Sequence, residues 1–189
     1  MGRLPEKESL VDIFRWRVKE SSESIVSKYK DRLLTYKEYD SNANKVAQGI
    51  INEGCKPNGR VAFLAKNSDQ FFEFLYGTMK SRTVAVGINW RLAPPEVSYV
   101  INDSKSEILF VGKEFYPIIR EIINEIPTIK KIISMDGESE WEHYIFWRDK
   151  FEAIDPFLES NIEDDVIQVY TSGTTGYPKG CLLYTSPSP

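Results

Sequence analysis

The sequence has few of the features that mark secreted, membrane or metal-binding proteins. Only two of its 189 residues are cysteine, Cys55 and Cys181, and their separation matches no metal-binding motif. We therefore expect free thiols rather than a disulfide. No apolar run reaches the length of a membrane span, and residues 1–8 lack the apolar core of a signal peptide. These absences predict a cytoplasmic protein without an integral membrane segment.

An excess of charge of one sign is also missing. The chain has 24 basic and 28 acidic residues, a formal net charge of −4, and the two signs are interspersed along it. Without a basic stripe, no nucleic-acid partner is expected. The hydrophobic share of 41% is typical of a folded domain, and the length suffices for a substantial core.

Histidine is almost absent, which limits acid–base chemistry. The single one, His143, lies among aromatic residues without a nucleophile at a recognisable spacing, so we expect a packing or surface role. The acidic residues of the same polar region are predicted to be solvated loop charges. These are Glu138, Glu140, Glu142, Asp164 and Asp165.

Short apolar runs alternate with stretches of helical periodicity through most of the chain. Residues 24–35 predict a small β-hairpin, and Thr35 with Glu38 forms a capping box that begins the next helix. In the helix that follows Ser68, the inward face is predicted from apolar residues at helical spacing, which are Phe72, Leu75, Tyr76 and Met79. The alternation predicts an α/β fold in one unit, with a mainly parallel sheet, helices on both faces and the N-terminal hairpin.

A loop rich in glycine and hydroxyl groups, residues 170–180, predicts a phosphate-binding site. Gly173 and Gly176 permit a positive φ and a close approach of backbone N–H groups to an anion, and Lys179 adds a positive charge. The loop is not the common P-loop, because Pro178 stands where that motif has a glycine before its lysine. A predicted strand over residues 165–170 delivers the loop at its carboxyl end, where open α/β sheets bind ligands.

The string YTSGTTGYPKG of this loop resembles, almost residue for residue, the phosphate-binding signature of the AMP-forming superfamily of acyl-CoA synthetases, luciferases and peptide-synthetase adenylation domains. Residues 34–38 and 59–62 are similar to its "LTY-x-E" and "GDRVA" segments. Residues 79–92 resemble "LKAGAVVVPINWRL", whose ending favours fatty-acid or related carboxylic-acid ligases. Two departures occur there: Arg82-Thr83 replaces a pair of small residues, and Gly87 replaces proline.

The resemblance implies a two-step ligase. A carboxylate attacks the α-phosphorus of Mg·ATP to give acyl-AMP and pyrophosphate, and the thiol of coenzyme A then displaces AMP. The expected partners are therefore a small carboxylic acid, ATP and CoA, with Mg²⁺, which Thr171 is expected to contact. The implied phosphate-binding residues are Thr171, Ser172, Gly173, Thr174, Thr175, Gly176 and Lys179.

The resemblance covers only the first part of such an enzyme. Residues 1–180 are expected to form the N-terminal part of the AMP-binding domain, with an open sheet edge beside the loop, no complete catalytic site and no activity alone. Residues 181–189 depart from the family, and one back-translation of them resembles a sequencing adapter, so we expect a non-native tail. A non-catalytic module that binds nucleotide phosphates remains the alternative.

Overall fold

The computed structural model describes residues 9–171 and 178–184. The helices are α1 (Leu10–Glu20), α2 (Tyr36–Asn52), α3 (Asp69–Lys80), α4 (Pro94–Ser104), α5 (Tyr116–Ile122) and α6 (Tyr144–Arg148). The strands are β1 (Ile25–Tyr29), β2 (Arg32–Thr35), β3 (Arg60–Leu64), β4 (Val84–Gly87), β5 (Ser106–Val111), β6 (Lys131–Ser134), β7 (Glu142–His143), β8 (Asp165–Thr171) and β9 (Lys179–Tyr184).

Seven strands form one sheet in the order β7-β6-β5-β3-β4-β8-β9, and β1 and β2 form a separate antiparallel hairpin. Every pairing from β7 to β8 is parallel, and only β9 runs antiparallel to its neighbour. The predicted α/β class, parallel sheet and hairpin are confirmed. All six parallel strands therefore end at the same edge of the sheet, which fixes where a ligand site is expected.

Helices cover both faces of the sheet, as predicted. Along β3, Ala62 and Leu64 pack with α4 and α5 in one hydrophobic core, whereas Val61 and Phe63 pack with α2, α3 and α6 in another. Successive side chains of a strand point to opposite faces, so a strand buried on both sides is a continuous apolar run. All four of these side chains are almost completely buried.

The capping box at the start of α2 is present as predicted. The Thr35 hydroxyl accepts the Glu38 N–H at 3.2 Å, and the Glu38 carboxylate accepts the Thr35 N–H at 2.8 Å. These two bonds satisfy N–H groups that have no partner within the helix. The boundary between hairpin and helix is thus determined by local sequence.

The predicted inward face of α3 is wrong at Phe72, whereas Leu75 packs against the core and Tyr76 stacks on Phe14. Phe72 is 48% exposed, whereas Glu73, Thr78 and Lys80 are buried. The buried ions have partners on other elements: Glu73 accepts from Tyr144 at 2.6 Å, and Lys80 contacts carboxylates outside α3. Because those partners are distant in sequence, periodicity in apolar residues could not show that a polar face of this helix turns inward.

The strand β9 is a second departure from expectation. Residues 179–184 carry no strand signal, yet they pair with β8 from Thr171↔Lys179 to Asp165↔Tyr184. All six residues of β9 are exposed, so its side chains do not alternate in burial and leave no pattern in the sequence. The open edge expected beside the loop is therefore the outer side of β9 rather than β8.

Candidate phosphate-binding site

The ends of the predicted phosphate loop are held opposite each other. Strand β8 ends at Thr171 and β9 begins at Lys179, and these two residues are partners in the antiparallel ladder. Both are exposed, so their side chains are accessible at the carboxyl end of a parallel strand. Of the seven predicted phosphate-binding residues, the structure brings these two together. The other five, Ser172, Gly173, Thr174, Thr175 and Gly176, lie outside the described residues.

The strand that precedes the loop carries a polar network on the face covered by α4. The Tyr170 hydroxyl donates to Asp103 at 2.6 Å and accepts from the Gln168 side chain at 2.9 Å. The Gln168 carbonyl oxygen in turn accepts from Arg60 at 3.4 Å. Burial raises the pKa of Tyr170, and the Asp103 carboxylate raises it further, so the hydroxyl remains protonated and can donate.

The first residue after Lys179, Gly180, is closely packed by two side chains of β8. A Cβ atom at Gly180 would lie 2.6 Å from Nε2 of Gln168 and 3.1 Å from Cζ of Tyr170. Since Tyr170 and Gly180 are ladder partners, the tyrosine ring lies across the glycine. The sequence marked Gly180 only as the end of the loop, and its packing role depends on a cross-strand neighbour.

Two basic residues, Lys66 and Arg91, lie next to the exposed indole of Trp90 at the same edge of the sheet. The sequence did not predict a role for them in the site. The Arg91 guanidinium lies 4.1 Å from the centre of the Trp90 ring, and Lys66 Nζ lies 5.7 Å from it. Lys66 also pairs with Glu114 at 2.7 Å. Lys66 follows β3 and Arg91 follows β4. A basic residue shortly after a buried strand was therefore the signal in the sequence that could have placed both at this edge. Glu114 offsets the charge of Lys66, whereas the charge of Arg91 favours anions at this edge.

Three of the five charges predicted to be solvated also form ion pairs, and of these Glu140 is exposed as predicted. Arg82 holds Asp164 through two hydrogen bonds of 2.9 and 2.8 Å, and Arg120 holds Glu140 in the same way at 2.9 and 2.7 Å. Hydrogen bonds from Arg120 lower the pKa of Glu140 to about 2. Glu142 pairs with Lys131 at 2.9 Å. Sequence alone cannot reveal such pairs, because their members are brought together by the tertiary fold.

His143 has a structural role that agrees with the prediction. Its Nδ1 accepts the Ile145 N–H at 3.2 Å and so caps the short helix α6, and its ring lies 5.7 Å from that of Phe146. Cys55 and Cys181 are free, as predicted. Burial raises the pKa of the Cys55 thiol to about 12, so this buried sulfur is not a nucleophile.

Within residues 9–171 and 178–184, no three His, Cys, Asp or Glu side chains are grouped so as to hold a metal ion. The described helices also include none with both the length and the apolar character needed to cross a membrane. Among the described residues, the site consists of the exposed Thr171 and Lys179 at this edge of the sheet and the polar network behind them.

The fold and the position of this site define a class: an open, mainly parallel α/β domain whose candidate site lies at the carboxyl end of a strand. A family model described as "AMP-binding enzyme" matches residues 14–186, and the chain belongs to this family. The resemblance found in the sequence is thereby confirmed.

Two curated relatives are named as fatty-acid ligases. The fatty acid–[acyl-carrier-protein] ligase ScoC of Streptomyces coeruleorubidus is 35% identical over 186 residues, which are 97% of this chain and 34% of that protein. The long-chain-fatty-acid–CoA ligase FadD13 of Mycobacterium tuberculosis H37Rv is 35% identical over 164 residues, 85% of this chain and 31% of that one. The chain thus spans about a third of the length of these relatives.

Solved structures agree with this fold. The anthranilate CoA ligase AuaEII in complex with anthranoyl-AMP superposes with a TM-score of 0.90 at 28% identity, over 96% of this chain and 36% of that one. The inhibitor-bound N-terminal domain of FACL13 from Mycobacterium tuberculosis gives a TM-score of 0.85 at 31% identity, over 95% and 45% of the two chains. The fold is that of the N-terminal part of adenylate-forming enzymes.

Proposed function

We propose that this chain carries the ATP-phosphate part of the active site of an AMP-forming acid–thiol ligase. The observation that carries the proposal is the pairing of Thr171 with Lys179 at the carboxyl end of β8, which places a hydroxyl and an ammonium group at the two ends of the loop. The complete enzyme joins a carboxylic acid to CoA through an acyl-AMP intermediate. Fatty acids are the favoured class of acid, because two relatives at 35% identity are named as fatty-acid ligases.

The role of the site in this reaction is electrostatic. Lys179 pairs with the β- and γ-phosphates of ATP, and its charge stabilises the pyrophosphate that leaves when the carboxylate bonds to the α-phosphorus. The hydroxyls of Ser172, Thr174 and Thr175 and the backbone at Gly173 and Gly176 donate to the same oxygens. The guanidinium of Arg91 at this edge favours the approach of the anion.

Magnesium, when bound, neutralises phosphate charge in this reaction. Proteins usually hold Mg²⁺ through one or two side chains, with nucleotide phosphates and water as the other ligands. An exposed hydroxyl at Thr171, with no group of three metal ligands among the described residues, fits an ion that arrives with ATP. We propose the Thr171 hydroxyl as its contact in this chain.

Alone, the chain is proposed to bind ATP weakly and to form no acyl-adenylate. Three or four charge-assisted hydrogen bonds contribute about 1.5–3 kcal/mol each, whereas association costs roughly 4–15 kcal/mol. Residues for adenine and ribose are expected in the part of the relatives that this chain does not span. We therefore expect a dissociation constant weaker than about 1 mM.

Titration calorimetry with Mg·ATP and mass spectrometry of a mixture with ATP and a fatty acid test this proposal together. Weak binding and no acyl-AMP are expected from the 189-residue chain, and acyl-AMP is expected from a chain extended along its gene. Micromolar binding without acyl-AMP would support the alternative, a non-catalytic phosphate-binding module. The genomic sequence beyond codon 180 also tests whether residues 181–189 are a non-native tail. If they are, the genomic codons after position 180 will differ from those that encode residues 181–189.

A further inference from the structure

Asp103 lies 67 positions before Tyr170 in the chain, yet their side chains share the short hydrogen bond that ends the polar network behind the loop. Asp103 is near the C-terminal end of α4, a helix that packs on this face of the sheet. The bond therefore connects the covering helix directly to the strand residue that precedes Thr171.

The connection acts on both ends of the loop at once. Tyr170 is adjacent to Thr171 in β8, and its ladder partner Gly180 is adjacent to Lys179 in β9. The tyrosine ring occupies the space that a side chain at Gly180 would fill, so the ring packs across the backbone of β9 next to Lys179. A ring free to rotate away from Asp103 would allow the Thr171–Lys179 pair to shift.

We propose that Asp103 is a positioning residue for phosphate binding: through the Tyr170 hydroxyl it fixes the ring that packs across Gly180, next to the Thr171–Lys179 pair. This inference rests on the proposed function of the loop. Asp103 is exposed and belongs to none of the segments that carry the resemblance, and it acts without touching the ligand. Gln168 supports the same hydroxyl from the strand itself.

The test uses the ¹⁵N-labelled 189-residue chain titrated with inorganic pyrophosphate, with the amide signals of Thr171 and Lys179 followed by NMR. We expect Tyr170→Phe and Asp103→Ala each to weaken binding about fivefold, the effect of losing one hydrogen bond. Asp103→Asn should stay within about twofold of the original chain, because its side-chain oxygen still accepts from the hydroxyl. The double variant Tyr170→Phe/Asp103→Ala should bind no more weakly than either single variant, since both remove one shared interaction.

Tyr116→Phe is the matched control. It removes a tyrosine hydroxyl that donates to the backbone oxygen of Asp136. Asp136 follows β6 and is remote from the loop in sequence. Pyrophosphate binding should be unchanged in this variant. An equal loss in Tyr116→Phe, or additive losses in the double variant, would overturn the positioning role by showing a general effect on stability.

The titration distinguishes failure of the positioning role from failure of the proposed phosphate site. If pyrophosphate does not shift the Thr171 and Lys179 signals in the original chain, the phosphate site itself is wrong. If it shifts them with the same affinity in the original chain, in Asp103→Ala and in Tyr170→Phe, the site stands and the positioning role is wrong. Asp103→Ala changes an exposed residue, so its folding is not at risk.

Discussion

The ammonium group of Lys80 is completely enclosed by protein and donates to the carboxylate of Asp155, 75 positions later in the chain. A second carboxylate, that of Asp40 on α2, lies 2.8 Å from the same ammonium. Asp155 also accepts two hydrogen bonds from Arg15 on α1, at 2.9 and 2.8 Å. This cluster connects three helices to the irregular segment between α6 and β8.

The first prediction concerns the cost of removing Asp155. Asp155→Ala leaves a buried charge on Lys80 with one carboxylate instead of two, and we expect the free energy of unfolding to fall by about 3 kcal/mol. Glu163→Ala, which removes an exposed carboxylate of the same segment, should change it by less than about 0.5 kcal/mol. Urea denaturation of both variants measures the difference. Equal effects would show that the cluster does not stabilise the fold.

A second prediction follows from the acidity of Asp155. Burial alone would raise the pKa of this carboxyl, but hydrogen bonds from Arg15 and Lys80 outweigh it and lower the pKa from the usual 3.8 to about 2. A lowered folded-state pKa contributes stability that is complete above about pH 4 and is lost as the pH falls towards 2. Urea denaturation across this range should show the gap between the original chain and Asp155→Asn narrowing below about pH 4. A gap that does not change with pH would contradict the assignment.

The helix α3 shows why part of the fold could not be predicted from the sequence. Alternating apolar runs indicated the parallel sheet, and the Thr35–Glu38 capping box indicated where α2 begins, because both signals are local. The inward direction of Lys80 depends instead on Asp155 and Asp40, which only the tertiary fold brings close. A buried ion has no periodic signature, so apolar spacing could not show that Glu73 and Lys80 turn inward while Phe72 is exposed.

A third prediction uses the departure at Arg82. This residue has a φ of 54° and follows α3 in a turn where the Thr83 N–H donates to the Thr78 oxygen at 2.8 Å. Glycine is usual at such a left-handed position, because it has no side chain to clash with the backbone. Arg82 has the unfavourable backbone conformation but gains two hydrogen bonds to Asp164. Arg82→Gly should lie within about 0.5 kcal/mol of the original chain, because relief of the backbone offsets the lost pair.

Arg82→Ala separates these two effects, since alanine loses the pair and keeps the left-handed backbone. It should be about 1 kcal/mol less stable than Arg82→Gly. Lys105 provides the matched position: it ends α4 with a φ of 56°, and Lys105→Gly should stabilise the chain by about 0.5 kcal/mol. Urea denaturation of the four proteins is the measurement. Equal stability of the alanine and glycine variants at Arg82 would contradict the account.

The fourth prediction concerns a close helix contact. A Cβ atom at Gly49 in α2 would lie 2.4 Å from Cζ2 of Trp147 and 2.9 Å from the Phe151 ring. Gly49→Ala should therefore destabilise the chain by about 1–3 kcal/mol through overpacking. At Gly87 a Cβ atom meets no atom within 4 Å, so Gly87→Ala should cost less than about 0.5 kcal/mol. Thermal unfolding followed by circular dichroism compares them, and equal melting temperatures would refute the contact.

The candidate site was predictable to the extent that its signal was local. The string of glycines, hydroxyls and one lysine indicated a phosphate loop after a strand, and the structure confirms the strand and places Thr171 opposite Lys179. The Asp103–Tyr170 bond and the packing of Gly180 were not predictable, because each depends on a neighbour across the sheet or on a covering helix. The sequence indicates the chemistry of the loop, and the fold determines its support.

The central claim is that Lys179 and the loop it ends bind the phosphates of ATP. An NMR titration of the ¹⁵N-labelled chain with Mg·ATP tests it most directly, with Lys179→Ala as the variant and Lys150→Ala as the control, because Lys150 is an exposed lysine that pairs with Glu142. We predict shifts of the Thr171 and Lys179 amides with a dissociation constant of about 1 mM or weaker, lost in Lys179→Ala and retained in Lys150→Ala. Unchanged binding in Lys179→Ala would contradict the account.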